Sequence, residues 1–219
     1  MIYEIDLLDD DNLKYIISHY TKNNFIDGSI SNPSSSKKNM MMRDCREYRL
    51  INKYCNEILI SNSQFRSVFL PKEISQIYYL WYDIGMKYDY HIDNYPIGGV
   101  NSHYSMTCFL SDPKDYSGGE LVLKVGNKEL EYKLEPGKAV IYSTGIKHKV
   151  NPVTSGDRKV FVCWIESCIQ NSFIRNHLID YGNVVFDMKI NDNKIENASD
   201  VLENLEQLRV NLIREYGSY

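Results

Sequence analysis

Leu121-Val-Leu-Lys-Val125, the pair Gly126-Asn127 and Leu130-Glu-Tyr-Lys-Leu134 read as a β-hairpin. Alternating residues turn one face of each strand toward a core, and glycine in a two-residue turn supplies the positive φ that a tight hairpin needs. The pattern extends in both directions. From about Ile77 to Ser167, short β-branched and aromatic runs are broken by turn signals at Asn94-Tyr-Pro96, Asp112-Pro113, Ser117-Gly-Gly119, Pro136-Gly137 and Ser155-Gly156. Strands recurring at a spacing of roughly ten residues predict a β-sandwich or barrel.

The flanks have a different period. Leu13, Ile16, Ile17 and Tyr20 recur at helical spacing, and Tyr48, Ile51, Tyr54, Cys55, Ile58 and Leu59 form a second apolar stripe between about Asp44 and Ile60. Both predict amphipathic helices, the second packing on a sheet. Phe25-Ile-Asp-Gly28 reads as a strand end, and residues 29–39, with Ser34-Ser-Ser36 and Lys37-Lys38, as a mobile loop. After Ser167 helical spacing returns, around Phe173 to Ile179 and then at Val201, Leu205, Leu208 and Leu212, with Asn197, Ser199 and Asp200 as capping candidates. The last stripe predicts packing on the protein's own barrel, or a dimer contact. The 219 residues read as one domain: a helical N-terminal support over 1–75, a β core over 76–167 and C-terminal helices over 168–219.

A formal net charge of -4 with interspersed signs leaves no basic stripe, which argues against nucleic acid as a partner. The opening Met1-Ile-Tyr-Glu-Ile-Asp-Leu-Leu-Asp-Asp10 lacks the basic and apolar regions of a signal peptide, and no later run is long enough to span a bilayer. Five cysteines without a C-x-x-C pair suggest neither a disulfide framework nor a zinc knuckle, so a reducing cytoplasm is the expected setting.

In Tyr90-His91-Ile92-Asp93-Asn94, alternation turns His91 and Asp93 to one face of a strand and Ile92 to the other. Alone, the pair is also what an ordinary surface strand near a turn shows. His148, in Tyr142-Ser-Thr-Gly-Ile-Lys-His148, comes from a later strand and completes two histidines and one carboxylate. That set suits Fe(II) and leaves positions open on one side, whereas structural zinc asks for four closed ligands. In Arg158-Lys-Val-Phe-Val-Cys-Trp-Ile165, Arg158 shares a face with Val160, Val162 and Trp164. If that face is the barrel interior, the guanidinium demands an anion, best a carboxylate gripped by its planar fork. The alternatives are an arginine that opens its strand and points to water, or one paired to a protein acid.

His91-x-Asp93, Ser105-Met-Thr-Cys-Phe-Leu-Ser-Asp112, Gly118-Gly-Glu-Leu121, Leu134-Glu-Pro-Gly137, His148-x-Val150-x-Pro152-Val153 and Arg158 together resemble the Fe(II)/2-oxoglutarate-dependent oxygenases of the prolyl 4-hydroxylase type, and within them the bacterial PKHD-type hydroxylases. The resemblance implies a mainly β fold with flanking helices around a cupin-like double-stranded β-helix, or jelly roll. It implies a catalytic Fe(2+) held by His91, Asp93 and His148, with 2-oxoglutarate anchored by Arg158 in a pocket lined by Tyr82. Tyr88 matches the tyrosine of a Tyr-x-x-His motif; packing is the alternative role for both tyrosines. Phe109 stands where animal relatives carry a tyrosine that helps to bind the cosubstrate, leaving Ser105 or Thr107 as candidates for that role. Trp164 reads as core.

The implied reaction consumes O2, releases succinate and CO2 and hydroxylates a C–H bond, with ascorbate as reductant. A prolyl residue in a peptide or protein is the substrate favoured, and residues 29–39 and 94–104 could fold over an extended chain. Hydroxylation of a free amino acid or other small molecule is an alternative, as is a non-catalytic jelly-roll binding module. Either a monomer or a homodimer fits.

Overall fold

The computed structural model describes residues 2–33, 36–190 and 198–218. Ser34 and Ser35 of the expected mobile loop, and the capping candidate Asn197, lie outside them. In chain order the elements are β1 (Ile2–Asp6), α1 (Asp10–Ser18), β2 (Phe25–Asp27), β3 (Met40–Met42), α2 (Arg46–Ser61), α3 (Ser63–Phe69), β4 (Pro71–Ile74), β5 (Tyr78–Tyr82), β6 (Tyr88–His91) and β7 (Tyr104–Phe109). They continue with β8 (Ser117–Gly118), β9 (Leu121–Val125), β10 (Lys128–Tyr132), β11 (Lys138–Ser143), β12 (Lys147–Val150), β13 (Val153–Ser155), β14 (Arg158–Ser167), α4 (Ser172–Ile190) and α5 (Ala198–Tyr216).

The hairpin forms as its sequence predicts: Val125 stands opposite Lys128, and Gly126 takes a φ of 60°. Around it, β10-β9-β12-β6 make the smaller sheet, and β1-β11-β7-β14-β5-β3-β2 the larger. Every pairing among these strands is antiparallel. Inward side chains from both sheets, including Leu80, Tyr82, Phe109, Leu121, Leu123, Val140, Val150 and Val160, share one buried cluster. This is a jelly-roll arrangement of two sheets over an apolar core.

The outer face of the larger sheet carries helices. Phe161 and Cys163, on the face of β14 opposite Arg158, are fully buried, and Tyr79 meets Phe161 at 5.9 Å between ring centroids. Tyr20, just after α1, donates its hydroxyl to the Val160 carbonyl at 2.9 Å, and Tyr48 of α2 lies edge-on to Tyr79. These polar tips explain why tyrosine serves here: its ring adds apolar area while its hydroxyl satisfies a buried carbonyl.

The N-terminal region contributes strands as well as helices. β1 extends the larger sheet along β11, and β2 and β3 extend it beyond β5. Three-residue strands carry too little alternation to be read, and Met40-Met-Met42 has none. At the borders of 29–39, Gly28 to Ser31 form a 3-10 turn, and the Gly28 amide donates to the Asn39 carbonyl at 2.8 Å.

The chain divides into two compact units. The first, Met1–Ile58 with Ile74–Ile165, holds both sheets. The second, Leu59–Glu73 with Glu166–Tyr219, holds α3, α4 and α5. Within it Leu212 and Ile213 pack against Cys168, Ile169 and Leu178, while Val201 and Leu208 are exposed. The α5 stripe is therefore only partly covered, by its own unit. No helix among the described residues is long and apolar enough to cross a membrane.

Candidate active site

His91 ends β6, Asp93 follows two residues on, and His148 of β12 stands directly opposite His91 in the smaller sheet. Cross-strand pairing thus brings the two imidazoles to 4.1 Å between centroids. Asp93 Oδ1 lies 3.6 Å from His91 Nε2 and 3.7 Å from His148 Nε2. These separations are too long for hydrogen bonds, yet the three ligand atoms all fall within 4.8 Å of one another. Among the described residues no other group of His, Cys, Asp and Glu converges in this way.

Each donor is held so that one specific atom faces the gap. His91 Nδ1 sits 2.9 Å from the Asp89 carbonyl and His148 Nδ1 2.9 Å from the Ile146 carbonyl. A carbonyl only accepts, so both Nδ1 atoms carry the proton and both Nε2 lone pairs are presented to the gap. Asp93 is divided likewise: Oδ2 accepts from Ser105 Oγ at 2.7 Å and from Trp164 Nε1 at 2.9 Å, leaving Oδ1 toward the histidines. Tyr88 stacks on His91 at 3.6 Å. Burial, and then His148, push the His91 pKa down to about 4, so this imidazole is neutral at ordinary pH.

Trp164 is therefore more than core. It lies on the Arg158 face of β14, as the alternation indicates, but its bond to Asp93 spans 71 positions of sequence.

Arg158 opens β14 opposite Tyr82 of β5. It is 1% exposed, which settles its direction as inward. Its guanidinium carbon lies 4.9 Å from the centre of the Tyr82 ring and 5.6 Å from that of Phe109. No carboxylate among the described residues pairs with it, and its Nε is buried without a hydrogen-bond partner. Gly119, at a φ of +69°, makes room for the stem: a β-carbon there would come within 3.1 Å of Arg158 Cδ and 3.2 Å of Tyr116 Cε2. The cavity between Arg158 and the His-Asp-His group is lined by Leu80, Tyr82, Thr107, Leu121, Tyr142 and Val160, among others. It is mostly apolar, with Asp93 as its one lining acid among the described residues.

Two further residues of this cavity carry no signal in the sequence pattern. Tyr142 lies edge-on to His148 at 5.2 Å and is buried. Lys37 lines the mouth, donates to Ser31 Oγ at 2.7 Å and stands 5.7 Å over the Tyr88 ring. Burial lowers the Lys37 pKa to about 8, opposed by the charge of Asp93. Of the two candidates for the role that the phenyl ring of Phe109 cannot fill, Ser105 is engaged with Asp93.

Comparison with known proteins gives this geometry its class. Residues 76–166 match the model of the 2OG-Fe(II) oxygenase superfamily. A PKHD-type hydroxylase of Sphingopyxis alaskensis is 34% identical over 185 residues, 82% of this chain and 85% of that protein. One from Crocosphaera subtropica is 30% identical over 99% of this chain and all of its own length. The chain belongs to the PKHD-type hydroxylases of the 2OG-Fe(II) oxygenase superfamily, and is an oxidoreductase.

Solved structures agree on the fold. A Pseudomonas putida prolyl-4-hydroxylase superposes with a TM-score of 0.56 at 13% identity, covering 76% of this chain and 92% of the other. A Trichoplax adhaerens prolyl hydroxylase, in complex with a hypoxia inducible factor peptide fragment, gives 0.56 at 18% identity, covering 75% and 82%. The family implies Fe(2+), 2-oxoglutarate and O2, and the His-Asp-His group suits iron.

Proposed function

We propose that the protein hydroxylates a prolyl residue in a peptide or protein, with His91 Nε2, Asp93 Oδ1 and His148 Nε2 holding Fe(II) and Arg158 pairing with the C5 carboxylate of 2-oxoglutarate beside Tyr82. The observation that carries this reading is the buried Arg158, which no carboxylate among the described residues pairs. A desolvated guanidinium costs several kcal/mol unless an anion meets it, and its fork matches a carboxylate. A metal site alone has no use for such a residue; a dicarboxylate bridging metal and arginine uses both ends of the cavity.

When bound, iron, 2-oxoglutarate and O2 supply the oxidation, which yields succinate and CO2 and places one oxygen atom in a substrate C–H bond. The chain's own residues position these partners. The backbone carbonyls of Asp89 and Ile146 fix both imidazoles, and Ser105 and Trp164 fix the carboxylate. The apolar lining keeps water from the reacting centre.

A peptide substrate is supported by the rim. Ile92, 57% exposed, lines the open side beside His91 and Asp93 together with Pro33, Ile97 and Trp164. The Trichoplax neighbour, with its bound peptide, lends the analogy. Ascorbate as reductant and a cytoplasmic setting belong to the same reading, the latter supported by five free cysteines.

The test is anaerobic addition of Fe(II) and 2-oxoglutarate, watched for the visible charge-transfer band of the chelate. Oxygen and a panel of proline-containing peptides follow, read by mass spectrometry. Expected are a band and a gain of one oxygen atom on proline. Turnover to succinate with oxidation of small molecules alone would overturn the peptide assignment; the absence of any band would overturn the cosubstrate site.

A further inference from the structure

Lys37 is placed at the cavity by backbone pairing, on a stretch whose composition suggests a solvated lysine. Lys38 and Lys87 form an antiparallel bridge, each amide donating to the other's carbonyl, at 2.8 and 2.9 Å. Continued by one residue, that register sets Lys37 against Tyr88, and alternation turns its side chain away from the face of the exposed Lys38. The ammonium stands 5.7 Å from the centre of the Tyr88 ring, which is itself stacked on His91, and Asn32 Nδ2 donates to the Tyr88 hydroxyl at 3.0 Å. Lys37 Nζ donates to Ser31 Oγ at 2.7 Å, a neutral acceptor that aims the ammonium without cancelling its charge.

Lys37 lines both the inner cavity and the groove on its open side, whose walls include Pro33, Tyr78, Ile92, Ile97 and Trp164. Among the described residues it is the one lysine or arginine of that groove, and Asp93, a metal ligand in the reading above, is the one acid. In the loaded site the charges of Fe(II) and Arg158 are matched by Asp93 and the two carboxylates of 2-oxoglutarate. The ammonium is then a positive charge beyond that balance, at the side where substrate enters. A cation on the wall of a largely apolar groove attracts and orients an anion more strongly than one on an open surface.

We propose that Lys37 selects the substrate by charge: the peptide carries a carboxylate, from Asp or Glu, within a few residues of the hydroxylated proline, and that carboxylate meets the Lys37 ammonium. This rests on the prolyl-peptide reading above and adds a sequence context to it. An extended chain advances about 3.3 Å per residue, so an acidic side chain near the proline spans the Tyr88 and His91 rings that separate the ammonium from the metal end. An ammonium is a compact charge with rotatable donors, which suits carboxylates arriving at different angles and so accepts Asp and Glu alike.

The experiment uses peptides with one central proline and blocked termini, which removes the terminal charges. A single Glu, Gln or Lys is stepped through the flanking positions. Hydroxylation is followed as kcat/KM by mass spectrometry, and binding by calorimetric titration of the protein loaded with Mn(II), a redox-silent substitute for iron, and 2-oxoglutarate. Wild type should favour Glu over Gln roughly tenfold at the best position, the value of one hydrogen bond to a charged group. Lys37→Met should bring that ratio to about one by a loss on the Glu peptide alone, Lys37→Arg should keep most of it, and Lys37→Glu should turn the preference to the Lys peptide. The Gln peptide is the control within each variant, because a lysine that only ties down its segment would lower all three peptides alike. Equal handling of Glu and Gln by wild type at every position, or a preference untouched in Lys37→Met, overturns the proposal and leaves prolyl hydroxylation standing. Peptides ignored at every charge by protein that still binds 2-oxoglutarate would sink the prolyl-peptide reading itself, and the proposal with it.

Discussion

Replacing Arg158 by methionine separates stability from binding. The wild-type fold buries a guanidinium at 1% exposure with no carboxylate paired to it among the described residues. Desolvation of such an ion costs several kcal/mol after relaxation. The contacts to the Tyr82 and Phe109 rings return about 1 kcal/mol each. A net strain of about 2 kcal/mol therefore sits in the ligand-free protein. Methionine is unbranched and apolar and can fill most of the vacated volume. For a chain of this size, 1 kcal/mol moves Tm by about 2–4 °C, so Arg158→Met should melt about 4–8 °C above wild type without ligand. Mn(II) with 2-oxoglutarate at about 100 times its Kd should then stabilise the wild type by about 2.7 kcal/mol and leave the variant where metal alone puts it. The assay is thermal melting with and without the two ligands. A variant that melts below wild type when ligand-free, or that gains as much from 2-oxoglutarate, would refute the account of Arg158 as an anchor waiting for its anion.

Trp164→Phe keeps the ring and removes the indole donor to Asp93; metal affinity by titration should fall about 10-fold or more, as for other partners that orient a ligand, with the far-ultraviolet spectrum unchanged. Because the His91 pKa lies near 4, below the value of about 6.5 for an unfolded histidine, the unfolded chain binds more protons between those limits. The stability of the metal-free protein should therefore fall as pH drops from about 6.5 toward 4, and His91→Gln should flatten that part of the melting profile. In Gly118→Ala a β-carbon would overlap the Pro152 carbonyl at a φ of +72°; a loss of at least about 2 kcal/mol in urea unfolding is expected.

The parts legible in the sequence are those set by the period of two. His91 and Asp93 share a face because they are two apart, Arg158 points inward because it alternates with Val160 and Val162, and the hairpin turns at Gly126 because the runs beside it alternate. What alternation cannot give is who lies across the fold. Trp164 reaching Asp93 and Tyr142 lying edge-on to His148 depend on which strands pair and in what register. Lys37 was hidden differently, since it lies on a polar stretch whose composition says loop, while its ammonium lines the mouth of the cavity. The short strands β2 and β3 are made by pairing with their neighbours and have no pattern of their own.

β14 uses both of its faces, with Arg158, Val162 and Trp164 turned to the cavity and Phe161, Cys163 and Ile165 to the helices or the sheet's outer core. Inserting or deleting one residue between Arg158 and Trp164 would turn the residues on one side of the change to the opposite face, so that the anchor and the carboxylate's support could no longer share the cavity. Such a strand cannot drift in length as the enzyme diversifies. Variation in substrate choice must instead accumulate in the segments between strands, such as those carrying Asn32, Pro33 and Lys37 or Asn94 and Ile97, which border the cavity without fixing its register.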